Sequence, residues 1–191
     1  MVYNHSMSNT SSLETATFAN GCFWCTEAIF KRVNGVISVT SGYAGGNVEN
    51  PTYWDVAMKG TGHAESLQVQ YDPKIISYDK LLDIFWATHD PTTRNQQGYD
   101  IGPEYRSVIF YHNEEQKKIA EASKQQLDKS GKYNSEIVTE IVPFTNFYKA
   151  EDENQNFYES GRRPDYCKII IDPKIKKLLK DFKDVVKDEY K

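Results

Sequence analysis

Cysteine is scarce in this chain. Cys22, Cys25 and Cys167 are the three cysteines in 191 residues. A small disulfide scaffold uses an even, dense set. The odd, sparse count fits a reactive pair in a reducing, cytoplasmic compartment better. No apolar run approaches the ~18 residues that a membrane span requires. The N-terminus carries no charged segment followed by an apolar one, so no secretory signal is expected. Positive charge is not in excess either. Lys and Arg number 23 against 27 Asp and Glu, for a formal net charge of −4. With no basic patch, a nucleic-acid partner is not expected. The C-terminal lysines are interleaved with acids and read as a solvated helix face. A second C-x-x-C and an H-x₃₋₅-H are both lacking, whereas a structural zinc site needs about four ligands at suitable spacing. No metal and no bound organic cofactor is expected.

What the chain does have is Phe18-Ala19-Asn20-Gly21-Cys22-Phe23-Trp24-Cys25-Thr26-Glu27-Ala28. Ala16 to Phe18 reads as a strand end. Ala28, Ile29 and Val33 then follow helical spacing. Cys22 is therefore expected at or just before a helix N-terminus. Unpaired backbone N–H groups there favour a thiolate over a thiol. Gly21 permits the sharp turn into the helix. Phe23 and Trp24 place two flat rings beside a nucleophile. That suits an apolar pocket for a small ligand rather than a groove for protein disulfides, although packing in the core would also account for them.

Downstream, alternation predicts strands at 35–41 and 65–71; strands are also expected at 106–111 and 137–144, and an apolar run gives a last one at 167–171. Helices are predicted from Ser77 and over 113–129, 147–158 and 175–190. Their starts carry cap residues, Ser77 and Asn113, the latter with Gln116 three positions on. Residues 47–53 and 87–103 read as loops; the second is long enough to expect a function for it. Residues 1–15 read as a loose Asn/Ser/Thr-rich tail, and 16–191 as a single catalytic domain. Mixed strands and helices give an α+β or α/β class from pattern alone.

Three further blocks stand out: Gly62-His63-Ala64-Glu65, His89-Asp90-Pro91-Thr92, and Gln97-Gly98-Tyr99-Asp100-Ile101-Gly102-Pro103-Glu104-Tyr105-Arg106-Ser107. Together with Gly-Cys-Phe-Trp, in this order, the chain resembles the type A peptide methionine sulfoxide reductases from about Thr17 to Pro173. The resemblance implies an α/β sandwich: a mixed β-sheet with a ferredoxin-like core and packed helices. It also implies reduction of methionine-S-sulfoxide, free or in proteins, as a repair reaction under oxidative stress. Cys22 would be the nucleophile, and Phe23 and Trp24 would hold the substrate methyl group. Glu65 would protonate the sulfoxide oxygen, with Tyr53, Asp100 and Tyr105 lining the site.

Sulfoxide reduction needs these residue types. Thiolate attack on sulfur pushes charge onto oxygen, which must be protonated to leave. A free glutamate is ionised near neutrality at a pKa of about 4.3, so Glu65 must be buried to act as an acid. A tyrosine O–H donates to a developing oxyanion without bringing charge. A sulfenic acid on Cys22 would be resolved by a second thiol. Cys25, which stands where many relatives have Gly, is the favoured candidate. Cys167, in an apolar segment after Tyr166, is the alternative. Asn154 stands where that family usually carries His. The expected partners are oxidised proteins and thioredoxin, or a similar dithiol, and a monomer is expected. A thioredoxin-like thiol–disulfide oxidoreductase using Cys22 and Cys25 remains open, as does a non-enzymatic redox-sensing module.

Overall fold

The computed structural model describes residues 12–191. Most of the expected N-terminal tail lies outside the described residues. Strand β1 (Glu14–Asn20) starts two residues before the domain boundary read at position 16. A turn at Gly21 feeds helix α1 (Phe23–Phe30). Strand β2 (Val36–Ala44) follows, and its last three residues extend past the break expected at Gly42. Helix α2 (Tyr53–Met58) starts at the last residue of the expected 47–53 loop. Its start is fixed by a capping box, in which Thr52 and Asp55 satisfy each other's backbone N–H groups. Strand β3 (Ala64–Tyr71) and helix α3 (Tyr78–Ala87), capped by Ser77, match their predicted positions.

The long loop at 87–103 contains a two-residue hairpin, β4 (Gln96–Gln97) and β5 (Asp100–Ile101). Strand β6 (Ser107–Tyr111) and helix α4 (Glu114–Lys129), capped by Asn113, come next. Strand β7 is shorter than expected, Glu140–Pro143.

Six strands form one sheet in the order β7-β6-β1-β3-β2-β8. All neighbours are antiparallel except β6 and β7. Within it, β1-α1-β2-β3-α3-β6 runs as β-α-β-β-α-β, and its strands lie in the spatial order β6-β1-β3-β2. That is the ferredoxin-like arrangement. The fold is α+β, with a mixed sheet. Helices α1 and α3 cover it through Phe18, Phe30, Leu67, Leu81 and Phe85, all fully buried. Phe18 stacks on Phe30 at a ring separation of 5.5 Å and lies tilted against Phe85 at 5.3 Å.

Two segments differ from expectation. Residues 147–158 are not one helix. Phe147–Lys149 forms β8, which pairs with Gly42–Ala44 at the edge of the sheet. A short helix, α5 (Phe157–Ser160), begins only after a turn through left-handed Asn156. Cys167–Ile171 is not a strand. It is a wide, π-helical turn continuing α6 (Pro164–Tyr166) into α7 (Asp172–Asp181). Asp172-Pro173 does not stop this element, because proline at a first-turn position of α7 loses no hydrogen bond. The terminal helix ends at Asp181 rather than Tyr190 and gives way to short 3₁₀ turns.

Candidate active site

Cys22 is the N-cap of α1, with φ −57° and ψ 122°. Its carbonyl accepts from the N–H groups of Cys25 and Thr26 at 3.1 and 3.4 Å. The sulfur therefore sits outside the helical turn, at its positive end. Gly21 has φ +92°, and a Cβ there would come within 2.6 Å of Gln97 in the β4–β5 hairpin. The glycine both makes the turn and lets the hairpin close over the cysteine.

Glu65 enters from β3, opposite Tyr43 of β2. It is 3% exposed, and Oε2 accepts from the N–H of Phe23 at 3.0 Å. Burial raises its pKa to about 8, against the lowering effect of that N–H; the Asp100 and Glu104 carboxyls raise it further. A carboxyl raised in this way holds its proton at neutrality.

Cys22 does not behave as the helix start alone predicts. Burial raises its pKa first, then the Cys25 sulfur, then Glu65. Cys25 is instead lowered to about 7, chiefly by the hydrogen bond from Cys22. The two sulfurs titrate as a pair in which Cys25 is the more readily ionised, and passing a proton from Cys22 to an ionised Cys25 moves the charge to Cys22.

The aromatic residues converge on the same place. Phe23 is buried against Tyr43 at 5.8 Å. Trp24 stacks on Phe157 at 3.7 Å and lies parallel to Tyr53 at 6.5 Å. Its Nε1 donates to Asn154 Oδ1 at 3.1 Å, and Asn154 in turn donates to Glu151 at 3.1 Å. Asn154, at the position that departs from the family pattern, thus orients the indole. Tyr105 lowers the pKa of Tyr53, and Glu65 and Cys22 raise that of both tyrosines. Burial raises the pKa of each, so both remain O–H donors.

Asp100, on β5, is raised mainly by burial, and Lys174 opposes this. Its carboxylate accepts from Tyr166 at 3.4 Å. Tyr166 also stands by the two cysteines and lowers the pKa of each. Sequence reasoning did not single out Tyr166 or Phe157 for the site. Nothing local marks them among thirteen tyrosines and nine phenylalanines; only the return of the chain over α1 brings them there. Cys167 joins Cys22 and Cys25 in one apolar cluster with Ala28 and Ile171. All three thiols are free.

The histidines of the motif blocks hold backbone rather than substrate. His63 Nδ1 accepts from Gly46 N–H at 3.0 Å, so Nε2 carries the proton and donates to the Val48 carbonyl at 2.8 Å. His89 Nδ1 donates to the Phe85 carbonyl at 2.7 Å, and Nε2 accepts from Ser107 at 2.8 Å. Arg106 donates to the carbonyls of Pro103 and Gly62 at 2.9 and 3.0 Å, tying the Tyr105 turn to the loop before Glu65. Among the described residues, no cluster of His, Cys, Asp and Glu could hold a metal ion.

The sequence of residues 14–186 matches the family model described as peptide methionine sulfoxide reductase. The chain belongs to the peptide methionine sulfoxide reductase family. The Sulfolobus acidocaldarius "Peptide methionine sulfoxide reductase MsrA" is 54% identical over 172 residues, covering 90% of this chain and 97% of that one. Among solved structures, reduced Mxr1 from Saccharomyces cerevisiae superposes with a TM-score of 0.73 at 33% identity, covering 81% of this chain and 89% of its own. Mxr1 in complex with Trx2 superposes with a TM-score of 0.53 at 28% identity, over 82% of this chain and 92% of that one. This reductase therefore sets Cys22, at a helix cap, and Cys25, in the first turn, beside the buried carboxyl of Glu65 and two phenols.

Proposed function

We propose that this reductase converts methionine-S-sulfoxide to methionine with Cys22 as nucleophile and Glu65 as acid. The observation that carries this reading is the hydrogen bond from Phe23 N–H to Glu65. It fixes an acid with a pKa of about 8 one residue from the attacking sulfur.

The Cys22 thiolate attacks the sulfoxide sulfur while Glu65 gives its proton to the oxygen. Tyr53 and Tyr105 donate hydrogen bonds to that oxygen as charge develops on it. Phe23 and Trp24 hold the substrate methyl group. Oxygen passes from substrate to Cys22, methionine leaves, and Cys22 becomes a sulfenic acid, R–S–OH. Glu65 ends the step ionised. The Cys25 thiol then attacks the Cys22 sulfur; water leaves and a disulfide forms. Asp100 and Tyr166 orient the hydrogen bonds around the two sulfurs.

Cys25 is the proposed resolving thiol. Helical residues three apart keep their Cβ atoms about 5–6 Å from each other, more than the 3.5–4.5 Å or so of a disulfide. The cap position of Cys22 relieves that limit. Cys167, raised chiefly by burial and also by the Cys25 charge, is the alternative. A thioredoxin-type dithiol would reduce the disulfide; the yeast Mxr1 complex with Trx2 supports this. The physiological substrates would be oxidised proteins in the cytoplasm, with the chain acting as a monomer in their repair. No helix among the described residues is long and apolar enough to cross a membrane. A general thiol–disulfide oxidoreductase is not favoured, because residues 14–186 match the peptide methionine sulfoxide reductase family model.

Turnover of N-acetyl-methionine sulfoxide amide with dithiothreitol tests the reading. Reduction of the S epimer, lost in Cys22→Ser, is expected. Insulin reduction without sulfoxide turnover would overturn it.

A further inference from the structure

A groove of about 580 Å³ opens beside the proposed substrate pocket. The two share a wall, because Trp24 and Tyr53 line both. On the outer side stands Trp54, edge-on to Tyr53 at 5.7 Å and 70% exposed. Met58, four residues on and so on the same face of α2, is 74% exposed. Two large apolar side chains are thus left in water on a six-residue helix whose one acidic residue, Asp55, is held in the capping box. Arg162 and Arg163 also line the groove. Arg162 already donates to the Glu153 carbonyl, whereas Arg163 lies over the Tyr166 ring at 5.4 Å. No acidic side chain among the described residues pairs with either arginine. Glu151, also in the groove, is engaged: it accepts from Tyr43 O–H, Tyr53 N–H and the Asn154 amide. Glu153 is the opposing charge left on this side.

We propose that this groove binds the polypeptide flanking an oxidised methionine, taking an apolar or aromatic neighbour against Trp54 and a carboxylate side chain against Arg163. The inference rests on the methionine sulfoxide reductase reading above. Continuity argues for a peptide occupant. A chain whose sulfoxide enters between Phe23 and Trp24 must lay its next residues over the shared wall. An aromatic face on Trp54 adds stacking to area burial, and a guanidinium facing a carboxylate adds charge-assisted hydrogen bonds. Free methionine sulfoxide would use neither.

Four substrates separate the possibilities: blocked single-residue methionine sulfoxide, and pentapeptides with the sulfoxide flanked by Phe and Asp, by Ala and Ala, or by Phe and Lys. With dithiothreitol as reductant, the Phe/Asp peptide is expected to exceed the single-residue substrate in kcat/KM by roughly tenfold, equivalent to about 1.4 kcal/mol. Trp54→Ala should remove that advantage and leave the single-residue rate unchanged, while Trp54→Phe restores most of it. Arg163→Glu should invert the preference between Asp and Lys peptides. Equal rates for all peptides would overturn the proposal. So would a Trp54→Ala loss that also appears on the single-residue substrate, or one that appears only when thioredoxin replaces dithiothreitol and so assigns the groove to the reductant. Failure of the single-residue substrate in the unsubstituted enzyme would instead refute the catalytic reading on which the groove depends.

Discussion

Glu65 and Phe23 are joined by a 3.0 Å hydrogen bond from the backbone N–H of one to the carboxylate of the other. The bond crosses 42 residues of sequence and ties β3 to the first turn of α1. It places the acid relative to the cysteine through the backbone, so side-chain rotation at Cys22 does not disturb it.

A bell-shaped pH profile follows for the first turnover. Below about 7 the sulfur pair holds both protons and offers no thiolate; above about 8 Glu65 has lost the proton it must give. Single-turnover kcat/KM should therefore peak between these values. In Glu65→Gln the alkaline limb should vanish and the rate should fall by roughly 10²–10⁴. Rapid quench across pH, with methionine quantified by mass spectrometry, checks both. A wild-type rate in Glu65→Gln would remove the acid from the mechanism.

Cys22→Ser should abolish sulfoxide reduction, since a hydroxyl is neither ionised nor polarizable enough to attack. Cys25→Ser should give one full turnover and then stall. Peptide mapping after one equivalent of sulfoxide, without reductant, should show a Cys22–Cys25 bridge. A Cys22–Cys167 bridge would reverse the choice of resolving thiol.

Glu27 is buried on α1, and its two carboxylate oxygens accept from the N–H groups of Asn156 and Phe157 at 2.9 and 3.1 Å. It thereby seats Phe157 against Trp24. Glu27→Ala strands two buried donors and should cost about 2–3 kcal/mol in stability. It should also reduce kcat/KM by releasing the Trp24–Phe157 stack, while Glu27→Gln, which keeps one acceptor, should lose less. Urea melts and Trp fluorescence report the two effects separately.

His89 gives the protein an acid-labile contact. Burial lowers its pKa from 6.5 to about 3, so it stays neutral in the fold. Because the folded value lies below the unfolded one, its contribution is complete above about 6.5 and is lost as pH falls toward 3. The slope should reach at most about 1.4 kcal/mol per pH unit. Unfolding free energies between pH 7 and 4 should show this slope in the wild type and lose it in His89→Gln.

The local signals read correctly where a residue's neighbours in sequence decide its structure. Ser77 and Asn113 cap helices because the cap is a short-range bond, and 65–71 alternates because one face of β3 meets the core. The aromatic run at Phe147 failed as a helix because its partner, the end of β2, lies about a hundred residues away. Cys167–Ile171 failed as a strand because a short apolar run does not distinguish a buried strand from a buried helix. At the site, Cys22, Glu65 and the two tyrosines came from motifs. The pocket's inner wall, Phe157 and Tyr166, came from the chain's return and left no local mark. The thiol pKa was misjudged for a related reason: burial and the Cys25 sulfur outweigh the helix end, and neither is visible from spacing.

The π-helical turn at Cys167–Ile171 has one residue more than an α-helix would place there. Such a surplus is a phase difference between the segments on either side. Absorbing it into α geometry would rotate Tyr166 and Cys167 together by about 100° relative to α7. Because the two are adjacent, Tyr166 cannot leave the cysteine pair by this route without Cys167 changing its heading as well. The site's phenolic cover and its third sulfur are therefore geared to one backbone coordinate.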